Sequence, residues 1–81
     1  MKQIWKFAIG NKPVEIPTDG VCKLVAMQHG QLMAWFEVGV TNVTSKRLLV
    51  VYGTGHAIPE NAKHLGSCLD GDFVWHLYDN T

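Results

Sequence analysis

Residues 32–40 read Leu-Met-Ala-Trp-Phe-Glu-Val-Gly-Val, and this stretch is decisive for the fold class. Side chains alternate between the two faces of a strand, so the segment is apolar on both faces. One face carries Leu32, Ala34, Phe36, Val38 and Val40, and the other carries Met33 and Trp35. One face must line a core. The other then needs a cover, which could be a second sheet, a loop, a neighbouring subunit or a ligand.

Short apolar runs separated by Gly, Pro, Asn and Asp continue along the whole chain. His29-Gly30-Gln31 suits a tight hairpin with Gly30 at positive φ, and Asp70-Gly71-Asp72 suits a closing hairpin. Residues 41–45 are predicted to form a polar loop, and residues 59–64 have room for one short helical turn that Pro59 would open. The predicted strands are residues 3–9, 14–17 (an edge strand), 21–28, 32–40, 47–52, 65–69 and 73–78.

These patterns predict an all-β fold of about six or seven short strands, mainly antiparallel, arranged as a small barrel or sandwich. The absence of a linker, repeat or charge block predicts a single domain over residues 1–81. For so short a chain, 47% hydrophobic residues with three Trp, three Phe and two Tyr is a high apolar content. We therefore expect a homo-oligomer that buries part of this apolar surface between subunits.

The charge balance, the cysteine content and the absence of targeting segments limit the kinds of partner that we expect. Seven basic residues balance seven acidic ones, and Lys46-Arg47 is the only adjacent basic pair, which argues against binding to duplex nucleic acid. Cys22 and Cys68 are too few and too far apart for a disulfide framework. The sequence shows neither a signal peptide nor an apolar run that could span a bilayer, so we expect a cytoplasmic protein without membrane contact.

The most distinctive motif is residues 52–59, Tyr-Gly-Thr-Gly-His-Ala-Ile-Pro. Two glycines one residue apart allow a concave nest of backbone N–H groups that can hold a phosphate or carboxylate. The alternative is a tight structural loop in which His56 caps backbone groups. The predicted ligand-binding residues are Tyr52, Gly53, Thr54, Gly55 and His56, with Arg47 adding charge and Trp35 or Trp75 stacking on a planar base.

Catalytic and metal signatures are weak. The four histidines, His29, His56, His64 and His76, lack the short spacings of a zinc site, and neither cysteine nor serine lies in a nucleophile motif. His76 is expected to be a hydrogen-bonded histidine of a sheet. The sequence therefore predicts no metal, no cofactor and no enzymatic activity, with a nucleotide-processing enzyme as the remote alternative.

Three segments resemble a family of short phage and prophage proteins whose shared domain has no known function. These segments are Lys2–Phe7, Tyr52–Pro59 and Val74–Tyr78. The chain departs from the family pattern at Ala57, where Pro is usual, and at Ser67-Cys68, where Thr-Phe is more typical. The hairpin over residues 21–40 also differs from the family pattern. The resemblance implies a small accessory protein in the cytoplasm of an infected bacterial host.

Phage accessory proteins of this kind often oppose host defence, so we expect a non-enzymatic antagonist that sequesters a small cyclic-nucleotide-like signal. One alternative is a protein–protein inhibitor or adaptor that acts through an exposed aromatic sheet face. A further alternative is a minor virion or assembly component. The ligand-sequestering hypothesis requires the amides of the two-glycine loop to face outward.

Overall fold

A computed structural model describes residues 1–39 and 43–81, and every regular element in it is a β-strand. The strands form three antiparallel sheets: sheet A in the order β1-β4-β3, sheet B as β2-β5, and sheet C in the order β6-β8-β7. The strands are β1 (Gln3–Ala8), β2 (Val14–Pro17), β3 (Val21–Gln28), β4 (Gln31–Val38), β5 (Thr44–Arg47), β6 (Leu49–Gly53), β7 (Lys63–Asp70) and β8 (Phe73–Asp79). The predicted all-β, antiparallel class is confirmed, with eight strands instead of six or seven.

Strand β4 is central in sheet A, between β1 and β3. Its alternation is as predicted, because the four even-numbered residues from Leu32 to Val38 are buried while Met33 and Trp35 are only partly so. Val40 lies outside the described residues. The β3–β4 hairpin has a two-residue loop in which His29 (φ 54°) and Gly30 (φ 75°) both adopt the left-handed conformation that a type I′ turn requires.

Strand β8 is central in sheet C, and a two-residue loop connects it to β7. Gly71, the first residue of that loop, has φ 59°, as a type II′ turn requires. The core-facing side of this sheet contains Leu49 and Leu77, both almost fully buried. We call this side the inner face, and we call the opposite side the outer face.

The prediction of a polar loop over residues 41–45 is wrong for the last two residues of this segment, which belong to sheet B. Thr44–Arg47 is strand β5, paired with β2, whereas Thr41 and Asn42 lie outside the described residues. The Thr-Ser-Lys-Arg sequence of β5 lacks the apolar residues that usually indicate a strand. Polar contacts with β2, and not burial of apolar side chains, stabilise it. Glu15 lies opposite Lys46, and the Thr44 hydroxyl donates a hydrogen bond to Glu15 Oε2 at 3.0 Å.

Strands β3 and β7 lie side by side, so the inner faces of sheets A and C share one core. At this junction Gly66 packs against Val25, and a Cβ atom on Gly66 would lie 2.7 Å from Val25 Cγ2. The residues of the core are Ile9, Ile16, Val25, Leu32, Ala34, Phe36, Val38, Leu49 and Leu77.

The predicted helical turn over residues 59–64 is absent. Pro59 and Ala62 instead close a single turn through a 3.1 Å hydrogen bond from Ala62 N–H to Pro59 C=O, and β7 begins at Lys63. One turn is too short to offset the cost of helix nucleation, and strand pairing with β8 provides hydrogen bonds for the residues that follow. In the described part of the chain no helix has the length and apolarity to cross a bilayer.

An ion pair connects sheet B to sheet C inside the molecule. Arg47 Nε and Nη2 each lie 2.9 Å from Asp79 Oδ2, and the guanidinium also lies over the Phe36 ring at 5.6 Å. Burial acts to raise the pKa of Asp79, but hydrogen bonds from Thr81 and Arg47 outweigh burial and lower this pKa below its usual range.

A Gly66→Ala variant should lose about 1–3 kcal/mol of unfolding free energy, because the new methyl group meets the buried, branched Val25 side chain. Adding Val25→Ala should make the double variant less destabilised than the sum of the two single variants. Urea unfolding measures both effects. Gly10→Ala is the matched control, since no atom lies within 4 Å of its Cβ position. A Gly66→Ala variant as stable as this control would contradict the close packing of β3 and β7.

An Asp79→Asn variant should lose about 3 kcal/mol at pH 7, the lower end of the cost of breaking a buried ion pair. Because the folded-state pKa of Asp79 is lowered, its stabilisation is present above the unfolded pKa of about 3.9 and disappears as the pH falls further. The wild-type Tm should therefore fall more steeply below about pH 4 than that of the variant. Glu37→Gln, which breaks the exposed Lys2–Glu37 pair, is the control and should change Tm much less. Parallel pH–Tm curves for wild type and Asp79→Asn would contradict this account.

Candidate functional site

The Gly53–His56 segment is a tight turn that uses two of its own amides. The His56 N–H donates to Gly53 C=O at 3.1 Å, and the Gly53 N–H donates to His56 Nδ1 at 3.1 Å. His56 therefore caps the backbone, as in the structural alternative for this motif. The prediction of an outward-facing nest is wrong for two of its amides, because the Gly53 and His56 N–H groups are bonded within the turn. Thr54 and Gly55 form the exposed tip, where Gly55 (φ 92°) has no atom within 4 Å of its Cβ position and so borders open space.

The tip of this turn begins a line of hydrogen-bonding side chains on the outer face of sheet C. Thr54 Oγ1 lies 3.1 Å from His76 Nε2, and His76 Nδ1 lies 2.8 Å from Ser67 Oγ. Ser67 Oγ lies in turn 2.9 Å from His64 Nε2. We call these four residues the hydroxyl–imidazole chain. It crosses all three strands of the sheet, from the end of β6 over β8 to β7.

A β-bulge in β7 makes this alignment possible. His64 and Ser67 are three residues apart, so a regular strand would place them on opposite faces. The register shifts between His64 and Gly66, so that His64 pairs with Tyr78 and Ser67 pairs with His76. The one extra residue brings both side chains to the outer face.

Two tyrosines lie beside the hydroxyl–imidazole chain on the same face. Tyr52 and Tyr78 contact edge to face, with ring centroids 5.7 Å apart at 84°. The His64 ring lies 5.1 Å from the Tyr78 ring, and Asn80 Nδ2 donates to the Tyr52 hydroxyl at 2.6 Å. The outer face thus combines aromatic surface with hydroxyl and imidazole groups.

The three other predicted ligand residues do not lie on the outer face of sheet C. Trp75 is on the inner face of sheet C, where its Nε1 donates to Asp70 Oδ2 at 3.0 Å and its ring stacks on Phe73 at 5.6 Å. Trp35 is on the outer face of sheet A, and Arg47 is held by Asp79. The structure therefore brings Tyr52 and the Gly53–His56 turn together. Trp75 lies beside this turn on the inner face, because it pairs in register with Gly53 and its ring would lie 3.4 Å from a Cβ atom on Gly53. Trp35 and Arg47 are separated from the turn.

Sequence reasoning missed His64, Ser67, His76 and Tyr78 as site residues, although it expected His76 to be hydrogen-bonded within a sheet. A two-residue loop between Asp70 and Phe73 would have placed Ser67 opposite His76 by simple counting, and that signal was present in the sequence. The position of His64 was not accessible in this way, because it depends on the bulge.

Neither thiol has the character of an activated nucleophile. Burial raises the pKa of Cys22, and burial together with the nearby Asp70 carboxylate raises the pKa of Cys68. Over residues 1–39 and 43–81, no group of three His, Cys, Asp or Glu side chains is arranged to hold a metal ion. Two surface depressions, of about 420 and 320 Å³, both border Gly10 and Asn11 and do not include the hydroxyl–imidazole chain.

Comparison with known proteins identifies a family. Residues 1–81 match the model of a family described as a domain of unknown function, DUF7352. The chain belongs to this family. No curated protein and no solved structure gives a match. Because the DUF7352 match covers the whole chain, it includes both the Gly53–His56 turn and the hydroxyl–imidazole chain.

Proposed function

We propose that this protein is a small phage accessory protein that binds a nucleotide-like anion on the outer face of sheet C without converting it. Sequestering such a ligand would keep a signal away from the host's defence. The observation that carries the proposal is the hydroxyl–imidazole chain beside Tyr52 and Tyr78. The phage role is supported by the sequence resemblance of Lys2–Phe7, Tyr52–Pro59 and Val74–Tyr78.

The chemistry of this face suits a planar, charged ligand. Phenol and imidazole rings offer stacking surface to a base, with each stacked base contributing about 1–3 kcal/mol. Hydroxyl groups and imidazole N–H groups offer donors to phosphate oxygens. Thr54 and the open tip at Gly55 border the same surface, so the motif first singled out in the sequence forms one end of the proposed site.

A second copy of the chain would complete the site. The outer face of a sheet covers a ligand from one side only, so tight retention needs a second wall. A homo-oligomer that places two such faces together would supply that wall and would also cover apolar surface. We propose this arrangement in the host cytoplasm, with no role for duplex nucleic acid or membrane.

An adaptor function through a different surface is the second candidate. On the outer face of sheet A, Ile4, Val21 and Leu24 are 55%, 54% and 53% exposed, and by register they flank the half-buried Trp35. Exposed apolar side chains grouped on one face are typical of protein–protein contacts. This surface would act by contact with a host defence protein.

Titration calorimetry at pH 7.5 against cyclic dinucleotides, cyclic ADP-ribose isomers and nucleoside monophosphates tests the proposal. We expect one class to bind, and Thr54→Ala to weaken it about fivefold or more, since one hydrogen bond to a charged ligand is lost. Leu24→Ser, on the outer face of sheet A, is the matched control and should bind like wild type.

Recovery of the ligand intact after denaturation would separate binding from hydrolysis. If no member of the panel binds, the ligand proposal is wrong. Capture of one host protein that is abolished by Leu24→Ser and unaffected by Thr54→Ala would instead establish the adaptor function.

A further inference from the structure

We infer that the hydroxyl–imidazole chain is a proton-coupled site for a doubly charged phosphate monoester, with His64 and His76 as the groups that take up protons. This inference rests on the proposed function and specifies the ligand class and the pH response of the same face. It follows from counting the hydrogens that the four side chains share.

Ser67 determines how the hydrogens are distributed along the chain. Its Oγ lies 2.9 Å from His64 Nε2 and 2.8 Å from His76 Nδ1, yet a hydroxyl group carries one hydrogen. Ser67 can therefore donate to one imidazole at most, so at least one imidazole must donate to Ser67. Three donor arrangements are consistent with the geometry.

With both imidazoles neutral, each of these three arrangements satisfies the chain internally. In one, Thr54 donates to His76, His76 to Ser67, and Ser67 to His64. In the reverse, His64 donates to Ser67, Ser67 to His76, and His76 to Thr54. In the third, His64 and His76 both donate to Ser67, and Thr54 donates to His76. Each arrangement leaves a single hydrogen, on His64 Nδ1, on the Thr54 hydroxyl or on the Ser67 hydroxyl, to point out of the chain. The neutral chain thus offers one hydrogen-bond donor to an anion.

Protonation of both imidazoles changes this arrangement. His64 Nε2–H and His76 Nδ1–H then both donate to the two lone pairs of Ser67, so the Ser67 hydroxyl hydrogen must turn outward. His76 Nε2–H donates to Thr54, which releases the Thr54 hydroxyl hydrogen as well. The face then presents two positive charges and two outward hydroxyl donors, together with His64 Nδ1–H. A dianion matches this set in both charge and donors.

The surroundings leave these charges for a ligand to neutralise. The other titratable groups on this face are the phenols of Tyr52 (β6) and Tyr78 (β8). The carboxylates of Asp70 and Asp79 bond to Trp75 and Arg47 on the inner face, and Lys63 pairs in register with Asp79.

From β3, beside β7, the one charged residue is Lys23, which acts electrostatically on Glu37 of sheet A. Among the described residues, no carboxylate is hydrogen-bonded to either imidazole of the chain. Histidine is the side chain that gains its proton between about pH 8 and pH 5. A bound dianion and the two protons should therefore stabilise each other, since linked binding events are reciprocal.

Sulfate is the first probe, because it keeps two negative charges throughout this pH range. Calorimetry on the wild-type protein should give sulfate affinity at least about tenfold higher at pH 5.5 than at pH 8.0. Repeating the titration in buffers of different ionisation enthalpy should show net proton uptake on binding. His64→Gln and His76→Gln should each reduce both the pH dependence and the number of protons taken up. His29→Asn is the control, because His29 lies in the β3–β4 turn and Asn tolerates its positive φ.

Adenosine monophosphate and cyclic adenosine monophosphate then test the ligand class at pH 6.5, the first carrying a monoester and the second a singly charged diester. The monoester should bind more tightly. Equal sulfate affinity at both pH values, no sulfate binding at either, a His29→Asn effect as large as that of His64→Gln, or tighter binding of the cyclic nucleotide would each overturn the inference. Tm values of the histidine variants, taken without ligand, separate loss of binding from loss of folding. Nucleotide binding at pH 7.5 that persists when the pH dependence fails would leave the proposed function intact.

Discussion

The contact between Gly66 and Val25 is the constraint on which the rest of the molecule depends. It lies where β7 of one sheet passes β3 of another, and only a residue without a side chain allows the two strands to come so close. The same residue belongs to the bulge that shifts the register of β7. One local irregularity therefore joins two sheets around a shared core and also turns His64 and Ser67 to a common face. Bulges commonly re-aim side chains in this way.

Polar contacts complete what a small apolar core cannot provide alone. Arg47 and Asp79 are 32 positions apart in the sequence, and their pairing ties the short sheet B to the last strand. The residues that follow Asp79 reinforce this region: Asn80 N–H donates to Leu48 C=O at 2.8 Å, and Leu48 N–H donates to Thr81 Oγ1 at 2.9 Å. A side chain predicted to contact a ligand is thus engaged in holding elements together. A single basic residue in a sequence gives no sign of which use it has.

Local chemistry in the sequence predicted much of this fold. The His29-Gly30 turn, the alternation along β4 and the bounds of β2 and β3 follow from turn residues and a period of two, so they needed no tertiary information. Strand β5 was missed because its partner, not its composition, makes it a strand. About half of the candidate site was predicted. Tyr52 and Thr54 belong to a recognisable motif, whereas His64 and Ser67 reach the same face only because of the bulge in β7. Register shifts arise from packing between distant segments, which one sequence read along its length does not reveal.

Strand β1 ends the order of sheet A, with β4 as its neighbour on one side. None of the described strands pairs with its other side, whose backbone amides and carbonyls can therefore pair with a strand of another molecule, a route to uncontrolled association for many β proteins. The nearby lysines do not guard this margin, because Lys2 pairs with Glu37 of β4 and the Lys6 ammonium donates a hydrogen bond to Gln28 of β3. An identical strand that approached this edge would therefore meet little opposing charge, in contrast to proteins that place lysines outward along their edge strands.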